Sequence, residues 1–152
     1  MTPTELKEAL LLMCIKHVKE RKKKILDSIA TIEESLFEEG KSTAGDKHHT
    51  GRAMLQIERE NTGIQLMEVE NTETVLRKIS IYSKTEVIKM GSLVRTKNAN
   101  YFLSISAGMV AVNGANYICI SIGSPIGQLL LGKQKGDVYT FSGKHFLIEA
   151  VL

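Results

Sequence analysis

The residues best suited to chemistry lie in one polar stretch, residues 40–51, which reads Gly-Lys-Ser-Thr-Ala-Gly-Asp-Lys-His-His-Thr-Gly. Asp46 is its one carboxylate, and His48 and His49 follow closely. Carboxylate oxygen is the ligand that hard cations such as Mg²⁺ prefer, whereas imidazole suits transition metals better. Two adjacent histidines lack the spacing of helical zinc motifs. The stretch therefore offers one carboxylate, whose chemistry depends on what it reaches.

Simple structural roles explain the same residues as well. Asp46 can cap a following helix, since Asp is a good N-cap residue. His48 and His49 can be a solvated pair in a loop. Both alternatives stay open at the level of the sequence.

Two segments of helical period flank this polar stretch. The first runs from Thr4, a candidate N-cap, to about Glu38, and Lys22 interrupts its apolar seam once. The seam residues are Leu11, Ile15, Val18, Ile25, Ile29, Ile32 and Leu36. At about 1.5 Å per residue such a helix spans roughly 50 Å, so it must protrude or pair with another helix.

The second helical segment, residues 50–79, is the natural pairing partner. One apolar stripe consists of Leu55, Leu66, Val69, Leu76 and Ile79, and a neighbouring stripe of Met54, Ile57, Ile64 and Met67. Helices joined by a short connection run antiparallel. The sequence therefore predicts an antiparallel coiled-coil hairpin over residues 1–80, with its tip at residues 40–51.

Beyond residue 80 the helical period gives way to short apolar runs bounded by turn residues. The predicted strands are 90–96, 101–106, 109–112, 117–122, 137–141 and 145–151. Asn113-Gly114 is a hairpin signal, and Ser124-Pro125 marks a helix start. Predicted core residues are Ile118, Ile120, Leu129, Leu131, Leu147 and Ile148. Residues 81–152 are thus predicted to be a small α+β domain with a mainly antiparallel sheet.

Composition narrows the class of protein. The chain is 43% hydrophobic and 24% charged, as in folded globular proteins, and its 5% of aromatic residues disfavours a base-stacking module. Residues 1–80 hold 13 Lys and Arg against 14 Asp and Glu, and residues 81–152 hold 7 against 3. Lys22-Lys23-Lys24 is either a solvated face or a contact for acidic or phosphate groups. The balance supports two units and does not require a nucleic-acid partner.

Cysteines and apolar runs indicate the compartment. Cys14 and Cys119 each lie in an apolar context, which predicts buried thiols and neither a disulfide nor a metal site. The early apolar run, residues 9–15, is too short to span a membrane and follows no basic segment. We therefore expect a cytoplasmic protein without membrane contact.

The later motifs carry a family resemblance. Residues 124–133, Ser-Pro-Ile-Gly-Gln-Leu-Leu-Leu-Gly-Lys, precede Gly136-Asp137-Val138 in a domain that follows a long hairpin with Gly45-Asp46 at its tip. This order resembles the Gre (GreA/GreB) transcript-cleavage factors of bacterial RNA polymerase, over nearly the whole chain. The wording of the tip looks like a divergent branch associated with the Bacteroidetes.

The resemblance implies a mechanism. An FKBP-like C-terminal domain docks at the rim of the polymerase secondary channel, and the coiled coil enters it. Tip carboxylates share a Mg²⁺ ion with the polymerase active site, so that water cleaves backtracked RNA. The expected partner is RNA polymerase, with nascent RNA reached indirectly. No stably bound cofactor, membrane or small-molecule substrate is expected, and the chain would be an accessory factor. The residues expected to dock are Ser124, Pro125, Ile126, Gly127 and Lys133.

The tip departs from the family pattern Gly-Asp-x-x-Glu. Asp46 matches the catalytic, metal-binding Asp, but His49 stands where the second metal-binding residue, a Glu, is expected. Because imidazole is a poor Mg²⁺ ligand, two functions stay open: a modulator of cleavage, or a cleavage-deficient factor that occupies or competes for the channel.

A third hypothesis, a peptidyl-prolyl isomerase, follows from the FKBP-like fold. It requires an aromatic-lined pocket, and few aromatic residues are available to build one. These are Tyr82, Tyr101, Phe102, Tyr117, Tyr139, Phe141 and Phe146.

Overall fold

The structure is a computed structural model that describes residues 1–41 and 49–152, with side chains in residues 1–40 and 51–152. Its helices are α1 (Pro3–Lys41), α2 (His49–Lys78) and α3 (Pro125–Leu130). Its strands are β1 (Leu93–Thr96), β2 (Asn100–Ser104), β3 (Gly108–Val112), β4 (Ala115–Ser121), β5 (Val138–Phe141) and β6 (Lys144–Val151). The predicted class, a helical hairpin region followed by a sheet domain with a short helix, is confirmed.

Packing groups the chain into two compact units. One unit comprises residues 18–73, and the other comprises residues 1–17 with residues 74–152. The predicted division into 1–80 and 81–152 stays a prediction.

Within the unit of residues 18–73, the two helices run antiparallel. Arg21 on α1 pairs with Glu68 on α2 at 3.9 Å, and Glu33 further along α1 pairs with Arg59 at 3.2 Å. Residue numbers rise on one helix as they fall on the other, which is the pattern of a hairpin.

An apolar seam joins these helices. The buried apolar residues are Val18, Ile25, Ile29 and Ile32 on α1 and Val69 on α2, and Thr62 of α2 is buried as well. The polar interruption at Lys22 meets a carboxylate, since its Nζ lies 2.8 Å from Oε1 of Glu73 and both side chains are only partly exposed. The neighbouring stripe of α2 stays outside the seam: Met54, Ile57, Ile64 and Met67 are each at least half exposed.

In the other unit, the first turn of α1 is fixed by a capping box. The Thr2 hydroxyl accepts a hydrogen bond from the Glu5 N–H, and the Glu5 carboxylate accepts one from the Thr2 N–H, both at 3.1 Å. Pro3 occupies the first helical position, where its missing N–H is harmless. The prediction of Thr4 as N-cap is wrong, because Glu5 gives Thr2 the reciprocal partner that Lys7 cannot give Thr4.

The six strands form one mixed sheet in the order β3-β4-β2-β1-β6-β5. All neighbouring pairs are antiparallel except β2 with β4, which is parallel. Strand β3 lies on the other side of β4 from β2, so the chain passes β4 and returns through it beside β2. The predicted turn at Asn113-Gly114 joins β3 to β4, with φ of 51° and 78°. Strand β1 starts later than predicted because Gly91, at φ 94°, lies in a turn before it.

One face of the sheet packs around α3. Its buried core is Ile88, Val94, Tyr101, Leu103, Leu130, Tyr139 and Ile148. Ile148 was predicted there, and Ile118, Ile120 and Leu129 pack against it partly buried. Leu131 and Leu147 are wrong predictions, at 45% and 50% exposed. Leu131 is the C-cap of α3, and Leu147 alternates with Ile148 onto the opposite side of β6.

The opposite face of β2 and β4 meets the first part of α1. Phe102 and Ser104 of β2 are fully buried, and the Cys14 sulfur lies 3.6 Å from the Ser104 hydroxyl. Cys119 pairs in register with Phe102 and is also buried. Both cysteines are free thiols, as predicted.

The start of α3 is closely packed. The Ser124 hydroxyl accepts a hydrogen bond from the Gly127 N–H at 3.1 Å and donates one to the Ser121 carbonyl at 2.7 Å. A Cβ at Gly127 would collide with that carbonyl and would lie 2.9 Å from the Ser124 oxygen. Glycine is therefore required at this position.

We expect Gly127→Ala to lower the free energy of unfolding by about 1–3 kcal/mol, because the added methyl displaces the N-cap. Chemical denaturation followed by circular dichroism measures this. Gly123→Ala is the matched control, since nothing lies within 4 Å of its Cβ and a change below about 0.5 kcal/mol is expected. Equal stability of the two variants would contradict this account of the packing.

We expect a double-mutant cycle of Lys22→Met and Glu73→Gln to give a coupling of about 0.5–1 kcal/mol that falls as salt is added, because both side chains are partly exposed. Chemical denaturation of the four proteins measures it. Arg21 with Glu68, longer and more exposed, should couple less. A coupling of zero at low salt for Lys22 and Glu73 would refute the expected role of the pair.

Candidate functional site

The candidate site is the segment that joins α1 to α2. Asp46 lies outside the residues that the structure describes, as do His48 and the side chain of His49. Their predicted catalytic, metal-binding and capping roles stay predictions. Helix α2 begins at His49.

Cross-helix contacts hold the described helix ends on both sides of this segment. The Arg52 guanidinium donates to the Leu36 carbonyl at 3.1 Å, and Arg59 pairs with Glu33 at 3.2 Å. Gly40 gives room to Arg52, because a Cβ there would lie 3.3 Å from the guanidinium nitrogen. Pairing of the hairpin thus persists to within a few residues of the connecting segment.

Exposed apolar side chains accompany these helix ends. Phe37 is 62% exposed, Met54 65% and Ile57 57%. They are large exposed apolar groups on both helices near the connecting segment. The sequence signalled part of this surface in the stripe that contains Met54 and Ile57, but it gave no indication of Phe37.

The predicted docking residues Ser124, Pro125, Ile126 and Gly127 lie together at the start of α3. The hydrogen bonds of Ser124 and the packing of Gly127 give both residues a structural role, and Ile126 packs against the core. Pro125 is exposed. This local structure explains three of the four without reference to a partner, and their docking role stays a prediction.

The fifth docking residue, Lys133, lies just beyond α3. Its N–H donates to the Leu130 carbonyl at 3.0 Å, and its carbonyl accepts from Ile88 at 2.8 Å. Its side chain is half-buried. Lys133 therefore lies directly after α3, the helix that begins at exposed Pro125.

The Gly-Asp-Val motif forms the turn into β5. Gly136 has a φ of 91°, and the Asp137 carboxylate accepts a hydrogen bond from the Gln134 N–H at 2.8 Å. The Asp137 carbonyl accepts from Ile148 at 2.9 Å. This motif is explained by the turn it builds.

In the unit of residues 1–17 and 74–152, called the sheet unit below, two buried side chains are held in their neutral forms. Hydrogen bonding to Cys14, followed by burial, raises the pKa of the Cys119 thiol. Burial, with a smaller effect of Tyr101, raises the pKa of Tyr139 to about 12. Both groups are uncharged at neutral pH, so neither is an activated nucleophile or base.

Other site classes find little support in the described part of the chain. Residues 1–40 and 51–152 hold no group of three or more His, Cys, Asp or Glu side chains able to bind a metal. None of the helices, over the residues described, is long and apolar enough to cross a membrane. Four of the aromatic residues that a prolyl isomerase would need are buried: Tyr101, Phe102, Tyr117 and Tyr139.

Comparison with known proteins gives similarity at low identity. No family model and no curated protein sequence matches this chain. The structure of the transcription factor Gfh1 is 19% identical and has a TM-score of 0.36, with 90% of this chain and 91% of that chain covered. The crystal structure of GreA factor homolog 1 (Gfh1) of Thermus thermophilus is 22% identical, with a TM-score of 0.34 and coverage of 86% and 94%.

Proposed function

We propose that this chain is a Gre-like transcription elongation factor, an accessory protein that binds RNA polymerase and inserts its helical hairpin into the secondary channel. One observation carries the proposal: two antiparallel, paired helices flank a connecting segment that contains Gly45-Asp46. The Gre-like motif of residues 124–133 in the same chain supports it.

The hairpin suits this role because its pairing relies on its own side chains. Buried Ile25, Ile29 and Ile32 supply the apolar seam, Lys22 with Glu73 forms a polar pair within it, and Arg59 with Glu33 lies beside it. At roughly 1.5 Å per residue the 30-residue α2 is about 45 Å long. A helix pair of this length gives its connecting segment the reach to enter a channel.

The proposed chemistry at the tip rests on Asp46. Its carboxylate would complete the ligand set of a Mg²⁺ ion at the polymerase active site, where the metal supplies activation of water for RNA cleavage. His49 adds little to a Mg²⁺ site, since imidazole is a poor ligand for this ion. With one carboxylate contributed by this chain, the polymerase must supply most of the ligands.

His49 favours a second function of the same protein. A factor that docks and inserts but lacks the second carboxylate would occupy the channel without stimulating cleavage. It would then regulate transcription by excluding other channel-binding factors. The two functions share the same binding to the polymerase and differ only in whether RNA cleavage at its active site is stimulated.

The two functions separate in an assay on backtracked elongation complexes. The expected result is co-purification with core RNA polymerase together with slow release of short 3′ RNA fragments, which Asp46→Asn abolishes because the carboxylate charge is lost. Binding without any fragment release assigns the chain to the second function. Absence of binding to the polymerase contradicts both.

A charge substitution tests the alignment of the tip. We expect His49→Glu to raise the cleavage rate on the order of tenfold, because it restores a carboxylate ligand for Mg²⁺. The rate of fragment release, measured with saturating factor, is the readout. His48→Glu is the matched control, since it adds the same charge outside the Gly-Asp-x-x-Glu spacing. An equal gain from both variants, or a gain from neither with binding intact, would contradict the alignment.

A further inference from the structure

A pocket of about 240 Å³ lies within the unit that comprises residues 1–17 and 74–152. The first turns of α1 form one wall, residues 81–85 another, and the end of β6 a third. Lys7 of α1 lines it, and neither the seam of the hairpin nor the motif around α3 includes this residue. The proposed function assigns no role to this pocket.

Lys7 is an unusual residue in this position. Its side chain is only 6% exposed. Within residues 1–40 and 51–152, no side chain or carbonyl forms an ion pair or hydrogen bond with its ammonium. Burial, and then the positive charge of Lys89, lowers its pKa. A lysine that is mostly withdrawn from solvent and has no anionic partner is stabilised when an anion binds beside its ammonium.

Other positive groups add to this field. Lys84 lines the pocket, and Lys89 is anchored nearby through a 2.6 Å hydrogen bond from its ammonium to the Ser83 hydroxyl. The N-terminus of α1 adds a smaller positive contribution, because the Thr2 hydroxyl and the Glu5 carboxylate already form its capping box. Two negative groups oppose this field: the main-chain carboxylate of Leu152, which also lines the pocket, and Glu8, which accepts a hydrogen bond from the Tyr82 hydroxyl at 3.2 Å without pairing with Lys7.

The remaining lining indicates the kind of anion. Thr4 and Ser83 bring hydroxyl groups, and the Ser83 oxygen already accepts from Lys89, so its proton is available to a ligand. Pro3, Ile81 and Val151 supply apolar surface. The volume lies below the roughly 300–1,000 Å³ of pockets for drug-sized ligands, which favours a compact molecule.

We propose that this pocket is a binding site for a small phosphorylated molecule, whose phosphate pairs with Lys7 and whose apolar part lies against Ile81 and Val151. A doubly charged phosphate matches the ammonium groups of Lys7 and Lys84 better than a singly charged carboxylate does. Binding gives the Lys7 ammonium the anionic partner that it lacks among the described residues.

Nuclear magnetic resonance titration of the full chain tests the ligand class, with chloride used to hold ionic strength constant. Inorganic phosphate, phenyl phosphate and benzoate are the probes. Saturable shifts at the amides of Thr4, Lys7 and Ser83 are expected with both phosphates, with tighter binding of phenyl phosphate because of the apolar wall. No saturable shift with either phosphate overturns the proposal, and so does tighter binding of benzoate than of phenyl phosphate.

Three substitutions test the assignment to Lys7. Lys7→Met keeps the buried stem and should weaken phenyl phosphate binding about tenfold or more, since a charge-assisted hydrogen bond is lost. Lys84→Met should weaken it less, because that side chain is exposed. Lys144→Met, at an exposed lysine outside the pocket, should leave it unchanged. Equal affinity of Lys7→Met and the unsubstituted chain overturns the proposal.

A measurement on the unsubstituted chain covers the case in which Lys7→Met does not fold. Carbon-13 labelling of lysine side chains reports the titration of Lys7 directly. Bound phosphate should raise the pKa of Lys7 back toward its ordinary value, because an anion offsets both burial and the charge of Lys89. An unchanged Lys7 titration at saturating phenyl phosphate would contradict the pairing.

Discussion

The apolar seam of residues 18–73 is the constraint on which the candidate site depends. Isolated helices gain little stability from propensity alone, and packing of an apolar face supplies most of it. Here a single narrow line of aliphatic side chains, with Ile29 near its middle, performs that task. Because the seam is narrow, most of the helix surface stays available for contact with another molecule, including the exposed stripe around Ile57. The face of each helix that packs in the seam is thus distinct from the face that is open to another molecule.

The sheet unit shows how motif residues can be conspicuous in a sequence for structural reasons. Ser124, Gly127, Gly136 and Asp137 each have a hydrogen-bond or steric role in a cap or turn. A chain that needs this fold must keep these residues whether or not it docks to a partner. The functional information therefore lies more in the exposed neighbours, such as Pro125, than in the buried members of the motif.

Several features of the fold were predictable because they are local. The apolar period of α1 from Val18 to Ile32 and the Asn113-Gly114 turn depend on near neighbours in sequence, and both predictions are confirmed. Before Val18 the predicted seam is wrong, because Leu10 and Cys14 are the buried residues there and Leu11 and Ile15 are only partly buried. The N-cap was misplaced by two residues because two threonines, Thr2 and Thr4, compete and only the position of Glu5 decides between them.

Long-range features were beyond sequence reasoning. The parallel pairing of β2 with β4 depends on which edge of β4 is occupied by β3, and the exposure of Leu147 depends on strand register. The burial of Lys7 arises because segments far apart in sequence meet at the first turns of α1. In the candidate site, Asp46 and His49 were identified from their residue types and from the resemblance to the Gre pattern Gly-Asp-x-x-Glu, and their side chains lie outside the described residues.

The ion pair of Lys22 with Glu73 has a further consequence for the hairpin. A purely aliphatic heptad seam can shift by seven residues and still bury apolar groups, whereas a polar pair within the seam specifies one alignment. A shift of one heptad would place Lys22 near Leu66 or Glu73 near Ile29, and each charge would lose its partner. The pair thereby fixes the register of the two helices, and with it how many residues remain to form the connection that holds Asp46.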